Sequence, residues 1–84
     1  MSSTQVPSSL RDLLADILDI SPDQVTPDLS AATLADWDSF RHLQIILALE
    51  GEYAIQFDPN RIPELTSVAR LQQELEAKGV TLAP

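Results

Sequence analysis

Asp38, Ser39 and His42 place a carboxylate, a hydroxyl and an imidazole close together in the chain. Two chemistries use such a set. In the first, Ser39 is a nucleophile, His42 its base and Asp38 the group that orients the base. His42 follows Ser39 by three residues, roughly on one helical face. Nucleophilic catalysis also requires a buried orienting carboxylate and preorganised oxyanion donors, which three residues crowded at one exposed helix start do not supply. In the second, the Ser39 hydroxyl carries a covalently attached anionic group. Free amides and the dipole at a helix N-terminus stabilise negative charge, so a phosphate esterified to Ser39 would sit where an anion is favoured. An Asp-Ser pair before an apolar run is also an ordinary helix cap. As a plain cap, Ser39 would belong to an acidic helical interaction module with no prosthetic group. A single histidine and no cysteine leave metal chemistry without a ligand set.

The elements that must position Ser39 follow from periodicity. Residues 1–7 are polar, aperiodic and end in proline, and are expected to form a flexible tail. Leu10, Leu13, Leu14, Ile17 and Leu18 share one face of a first helix starting near Ser8 or Ser9, with Ser9 and Asp12 as a weak capping box. From Ser21 to Asp38 the pattern dissolves into a long loop with Val25, Leu29, Leu34 and Trp37 as isolated apolar anchors. Loops beyond about 12 to 15 residues are often functional. Ser21 and Pro22 can cap one short turn inside it.

Phe40, Leu43, Ile46, Leu47 and Glu50 to Tyr53 describe a second helix, opened by Asp38 or Ser39 as N-cap and weakened near its end by Gly51. Ile55 and Phe57 read as a tight connection, because no strand partner is available. Asp58 and Pro59 predict a third helix of about one turn, limited by Pro63. A final helix starts at Thr66 or Ser67, buries Val68, Leu71 and Leu75, and stops at Lys78 and Gly79. Residues 80–84 are expected to form a flexible C-terminal tail, which leaves residues 8–79 as one domain.

Composition narrows the class. The chain has 84 residues, 44% of them hydrophobic, but only two Phe, one Trp and one Tyr, so an all-α core of Leu, Ile, Val and Ala is expected. Thirteen acidic and five basic residues give a net charge of −8. That charge disfavours nucleic acid and anionic membranes and favours proteins with basic docking faces. No apolar run approaches the roughly 20 residues of a membrane span. The N-terminal residues lack the pattern of a secretory signal, and a cytoplasmic monomer is expected.

The stretch WDSFRHLQIILALEGEYAIQF, with Leu43, Leu47, Glu50, Tyr53 and Ile55 in place, resembles the Asp-Ser-Leu segment and following recognition helix of the acyl carrier protein family. Pro59 and LTSV at 65–68 are similar to the family's third helix and the start of its last. The resemblance covers residues 8–79. It implies an all-α, four-helix acyl-carrier-protein-like bundle, with three longer helices, one short third helix and a long loop between helices one and two. It also implies 4'-phosphopantetheine, derived from coenzyme A, on Ser39, within an attachment motif of Trp37, Asp38 and Phe40. The arm's thiol would hold acyl or related intermediates as thioesters while the chain catalyses nothing, and aminoacyl or peptidyl cargo is an alternative. Implied partners are a phosphopantetheinyl transferase, an acyl-loading ligase or acyltransferase, and downstream synthase or transferase enzymes.

Trp37 stands where many members have glycine, a variant that resembles freestanding carriers. Phe40 replaces the usual leucine or methionine, and Arg41 and Gln44 stand where carriers of fatty acid synthesis usually have acidic residues. The docking set implied is Arg41, His42, Gln44, Glu50 and Glu52, with altered partner choice and a tilt towards specialised biosynthesis. Leu43, Ile46, Leu47, Ile62 and Val68 are the candidates for a cargo pocket.

Overall fold

The computed structural model describes residues 6–80. Three α-helices, α1 (Ser8–Leu18), α2 (Ser39–Tyr53) and α3 (Val68–Ala77), alternate with two short 3-10 turns at Pro22–Gln24 and Ile62–Glu64. Their apolar stripes close on one core built from Leu10, Leu14 and Leu18 of α1, Ile45, Ile46 and Leu49 of α2, and Val68, Leu71 and Leu75 of α3. Val25, Trp37, Phe57 and Leu65 fill it from the connecting segments. Residues 1–5 and 81–84, the bulk of the two expected tails, lie outside the described residues. Val6 and Pro7 are buried and Val80 is partly buried, because all three cover apolar surface at the ends of the core.

Helix α1 starts without the expected Ser9 and Asp12 box. Pro7 occupies the cap position, and its carbonyl accepts from the Arg11 N–H at 2.9 Å. Ser9 Oγ instead lies 2.9 Å from the Tyr53 hydroxyl at the far end of α2. Thus α1 and α2 run antiparallel, the start of one tied to the end of the other.

The long loop is shaped by its own side chains. Ser21 and Gln24 form a reciprocal capping box around Pro22. Farther on, the Ala31 N–H donates to the Thr66 carbonyl and the Val68 N–H to the Leu29 carbonyl, an isolated antiparallel bridge between Ser30 and Ser67. This bridge stitches the loop to the start of α3, which Ser67 caps by accepting from the Arg70 N–H.

Helix α2 runs through Gly51 to Tyr53, as its pattern predicts, and ends in a left-handed Ala54, φ 54°. Two expectations change here. The short third helix is a 3-10 turn that starts at Ile62 rather than Asp58, whose carboxylate is diverted to the Asn60 N–H. Arg61 then clamps this turn to α3 through a 2.9 Å contact with Glu74. That hydrogen bond, with the nearby charges of Glu74 and Glu64, raises the arginine pKa further.

The second change concerns which face of α2 is buried. The spacing groups Phe40, Leu43, Ile46 and Leu47, whereas the structure buries Ile45, Ile46 and Leu49 and leaves Phe40, Leu43 and Leu47 exposed at 69%, 54% and 67%. Apolar residues occupy two faces of α2, and the contacts of α1 and the loop select only one of them.

Candidate functional site

Ser39 is the first residue of α2. Asp38 caps the helix: its carboxylate accepts from the Arg41 N–H at 2.9 Å, and its carbonyl accepts from the His42 N–H at 2.8 Å. On the other side, buried Trp37 anchors the incoming chain, and its own N–H donates to the Leu34 carbonyl. The helix start is therefore held on both sides, with Ser39 exposed between. Among the described residues nothing hydrogen-bonds its hydroxyl. The amides of Ser39 and Phe40 have no intrahelical acceptor, as at any helix start. An exposed hydroxyl beside free amides fits a phosphate ester, which needs access and negative-charge stabilisation but no pocket.

The same geometry does not fit a hydrolytic triad. His42 Nδ1 accepts from the Trp37 indole at 3.1 Å, and Nε2 donates to the Ile62 carbonyl at 2.7 Å. With the Asp38 carboxylate occupied by the cap, neither ring nitrogen is turned to Ser39 as a base.

Residues 8–75 match the family described as the phosphopantetheine attachment site. The chain belongs to that family. Two curated relatives are carriers by name. The chain is 39% identical over 67 residues to "Polyketide-8 synthase acyl carrier protein 2" of Streptomyces avermitilis, covering 80% of this chain and 74% of the relative. It is 26% identical over 68 residues to "Acyl carrier protein" of Thermosynechococcus vestitus, covering 81% and 84%. The chain is thus an acyl-carrier-type domain, and 4'-phosphopantetheine is the prosthetic group expected on it.

Within this carrier, several residues expected to dock partners make contacts inside the fold. The Arg41 guanidinium donates to the Ile17 carbonyl at 2.6 Å. His42 bridges Trp37 and Ile62. Glu50 accepts the Phe57 N–H at 2.8 Å and fastens the chain after α2. Gln44 and Glu52 are exposed. Of the expected pocket residues, Ile46 and Val68 are buried in the core and Ile62 is partly buried against it. Leu43 and Leu47 point outward and line no interior space with them.

Two features escaped sequence reasoning. Phe40, Leu43 and Leu47 form an exposed apolar stripe running down α2 from Ser39. Their spacing of three and seven was the signal, hidden because the neighbouring residues offer an equally apolar face. An open groove of about 420 Å³ lies between the end of α1 and the start of α2, lined by Asp16, Ile17, Asp19, Phe40, Arg41 and Gln44. Its acidic residues, Asp16 of α1 and Asp19 at that helix's C-cap, would not be found by inspecting α2 alone.

Proposed function

We propose that Ser39 carries the phosphopantetheine arm and that the chain uses it to hold carboxylic-acid intermediates as thioesters for partner enzymes. The exposed Ser39 hydroxyl at the capped start of α2, inside the matched family span, carries this reading. In the attachment step a bond forms between Ser39 Oγ and the pantetheine-bearing phosphorus of coenzyme A. The bond from that phosphorus to the adenosine-side phosphate breaks, and the serine proton is lost. The arm supplies the thiol; the chain binds, presents and catalyses nothing.

Docking falls to the surface that the fold leaves open around Ser39 and along α2. Phe40, Leu43 and Leu47 offer apolar contact, while Asp16, Asp19 and Glu52 offer charge to a basic partner face. Partners are a phosphopantetheinyl transferase, an acyl-loading ligase or acyltransferase, and a downstream synthase or transferase. The relative from Streptomyces supports polyketide-type specialised biosynthesis as the setting. Among the described residues no helix is long and apolar enough to cross a membrane. A cytoplasmic monomer, without nucleic acid or membrane as partner, completes the proposal.

The test is intact mass after incubation with coenzyme A and a broad-specificity phosphopantetheinyl transferase. Wild type should gain one phosphopantetheine and Ser39→Ala none. No gain by folded wild type, with a control carrier modified in parallel, would leave the acidic interaction module instead.

A further inference from the structure

Trp37 and His42 bracket Ser39 in sequence, and their side chains meet. An indole N–H only donates, so in its 3.1 Å contact with Trp37 the His42 Nδ1 accepts. A backbone carbonyl only accepts, so at 2.7 Å from the Ile62 oxygen the His42 Nε2 carries the proton. Both contacts demand the same neutral tautomer, and either partner alone would select it. The rings also stack, with centroids 6.2 Å apart and planes at 29°. Trp37 is 3% exposed, so its N–H would be left without solvent if the imidazole were removed.

This bridge touches the attachment segment where its geometry is decided. Nothing among the described residues holds the Ser39 hydroxyl itself, so its direction follows from how the chain enters α2. Trp37 sets that entry from one side and the first turn, which includes His42, from the other. Through Ile62 the bridge also reaches the 3-10 turn that Arg61 clamps to α3.

We propose that His42 is a positioning residue: in its Nε2–H tautomer it locks Trp37 to the Ile62 turn and so sets the pose in which Ser39 is offered to the phosphopantetheinyl transferase. This rests on Ser39 being the attachment residue. Because the docking surface is untouched, loss of the bridge acts on kcat for modification rather than on KM.

The experiment measures steady-state modification of the purified full chain by coenzyme A and transferase for wild type, His42→Phe, His42→Gln, Trp37→Phe and Leu75→Val. His42→Phe should lower kcat at least about ten-fold with KM near wild type, inside the roughly hundred-fold that an ångström of misplacement can cost. Glutamine can accept from the indole with its oxygen and donate to Ile62 with its nitrogen, and should return kcat to within about three-fold of wild type. Trp37→Phe keeps an aromatic ring but loses the indole N–H together with the volume of the pyrrole ring, so it should slow modification in the same direction, and it keeps the test open if His42→Phe does not fold. Leu75→Val loosens the core near the end of α3 and should lower Tm without lowering kcat. The indole N–H resonance of Trp37 should shift in His42→Phe and return in His42→Gln, a readout independent of the transferase. Wild-type kcat in folded His42→Phe, an equal loss in Leu75→Val, or no rescue by glutamine would overturn the proposal. Modification of Ser39→Ala would sink the attachment reading instead, while the indole resonance still reports the bridge.

Discussion

Arg41 Nη1 donates to the Ile17 carbonyl at 2.6 Å, placing a guanidinium on the last turn of α1. A cation there satisfies a carbonyl that the helix leaves without an intrahelical donor and opposes the negative end of the dipole. Arg41→Ala should therefore lower stability by about 0.5–1.5 kcal/mol, the range for a charged contact discounted for its partial exposure. Urea unfolding checks this. An Arg41→Ala protein of unchanged stability that loses only partner turnover would make Arg41 a docking residue and not a structural one.

The two apolar faces of α2 separate in the same assay. Ile46 is 2% exposed, and Ile46→Ala should cost about 2–5 kcal/mol. Leu43→Ala and Leu47→Ala should each stay within about 0.5 kcal/mol of wild type, since their side chains already face water. Turnover by a partner enzyme should show the reverse order, with the Leu43 and Leu47 variants impaired at temperatures where all are folded.

Glycine and alanine stand in exchanged places at the end of α2. Gly51 lies within the helix with nothing within 4 Å of an added Cβ, whereas Ala54 holds φ 54°. Gly51→Ala should stabilise by about 0.5–1 kcal/mol by removing backbone freedom from the unfolded chain. Ala54→Gly should gain a similar amount, about 1 kcal/mol at most, by relieving the left-handed conformation. Thermal unfolding of the two single variants and the double tests both signs.

Glu50 holds the Phe57 amide through a carboxylate oxygen. Glu50→Gln retains an acceptor and should stay near wild type, while Glu50→Ala should cost about 1–2 kcal/mol by leaving that amide, on a buried residue, unpaired. Amide exchange at Phe57 should accelerate in Glu50→Ala alone.

Much of this was legible in the chain. The stripe from Leu10 to Leu18 gave α1, the Asp38 cap gave the start of α2, and Ser67 and Gly79 bounded α3, because caps and periodicity are local signals. What escaped was decided by contacts distant in sequence. Whether α2 buries Leu43 or Ile45 depends on where α1 and the loop sit. Arg41, His42 and Glu50 read as surface charge and polarity until their acceptors and donors at Ile17, Trp37, Ile62 and Phe57 are brought beside them by the fold. Val6 and Pro7 look like tail because their two residues carry no period, although the open end of the core needs covering. At the site, the motif pointed to Ser39, whereas the acidic groove wall from α1 and the outward stripe from Phe40 required the three-dimensional arrangement.

The most direct test locates the modification. Wild-type protein treated with coenzyme A and transferase would be digested and its peptides sequenced by tandem mass spectrometry. The account predicts phosphopantetheine on the peptide containing Trp37–Phe40, with fragments assigning it to Ser39. Its presence on any other serine, or an unmodified Ser39 peptide from a folded protein, would contradict the account.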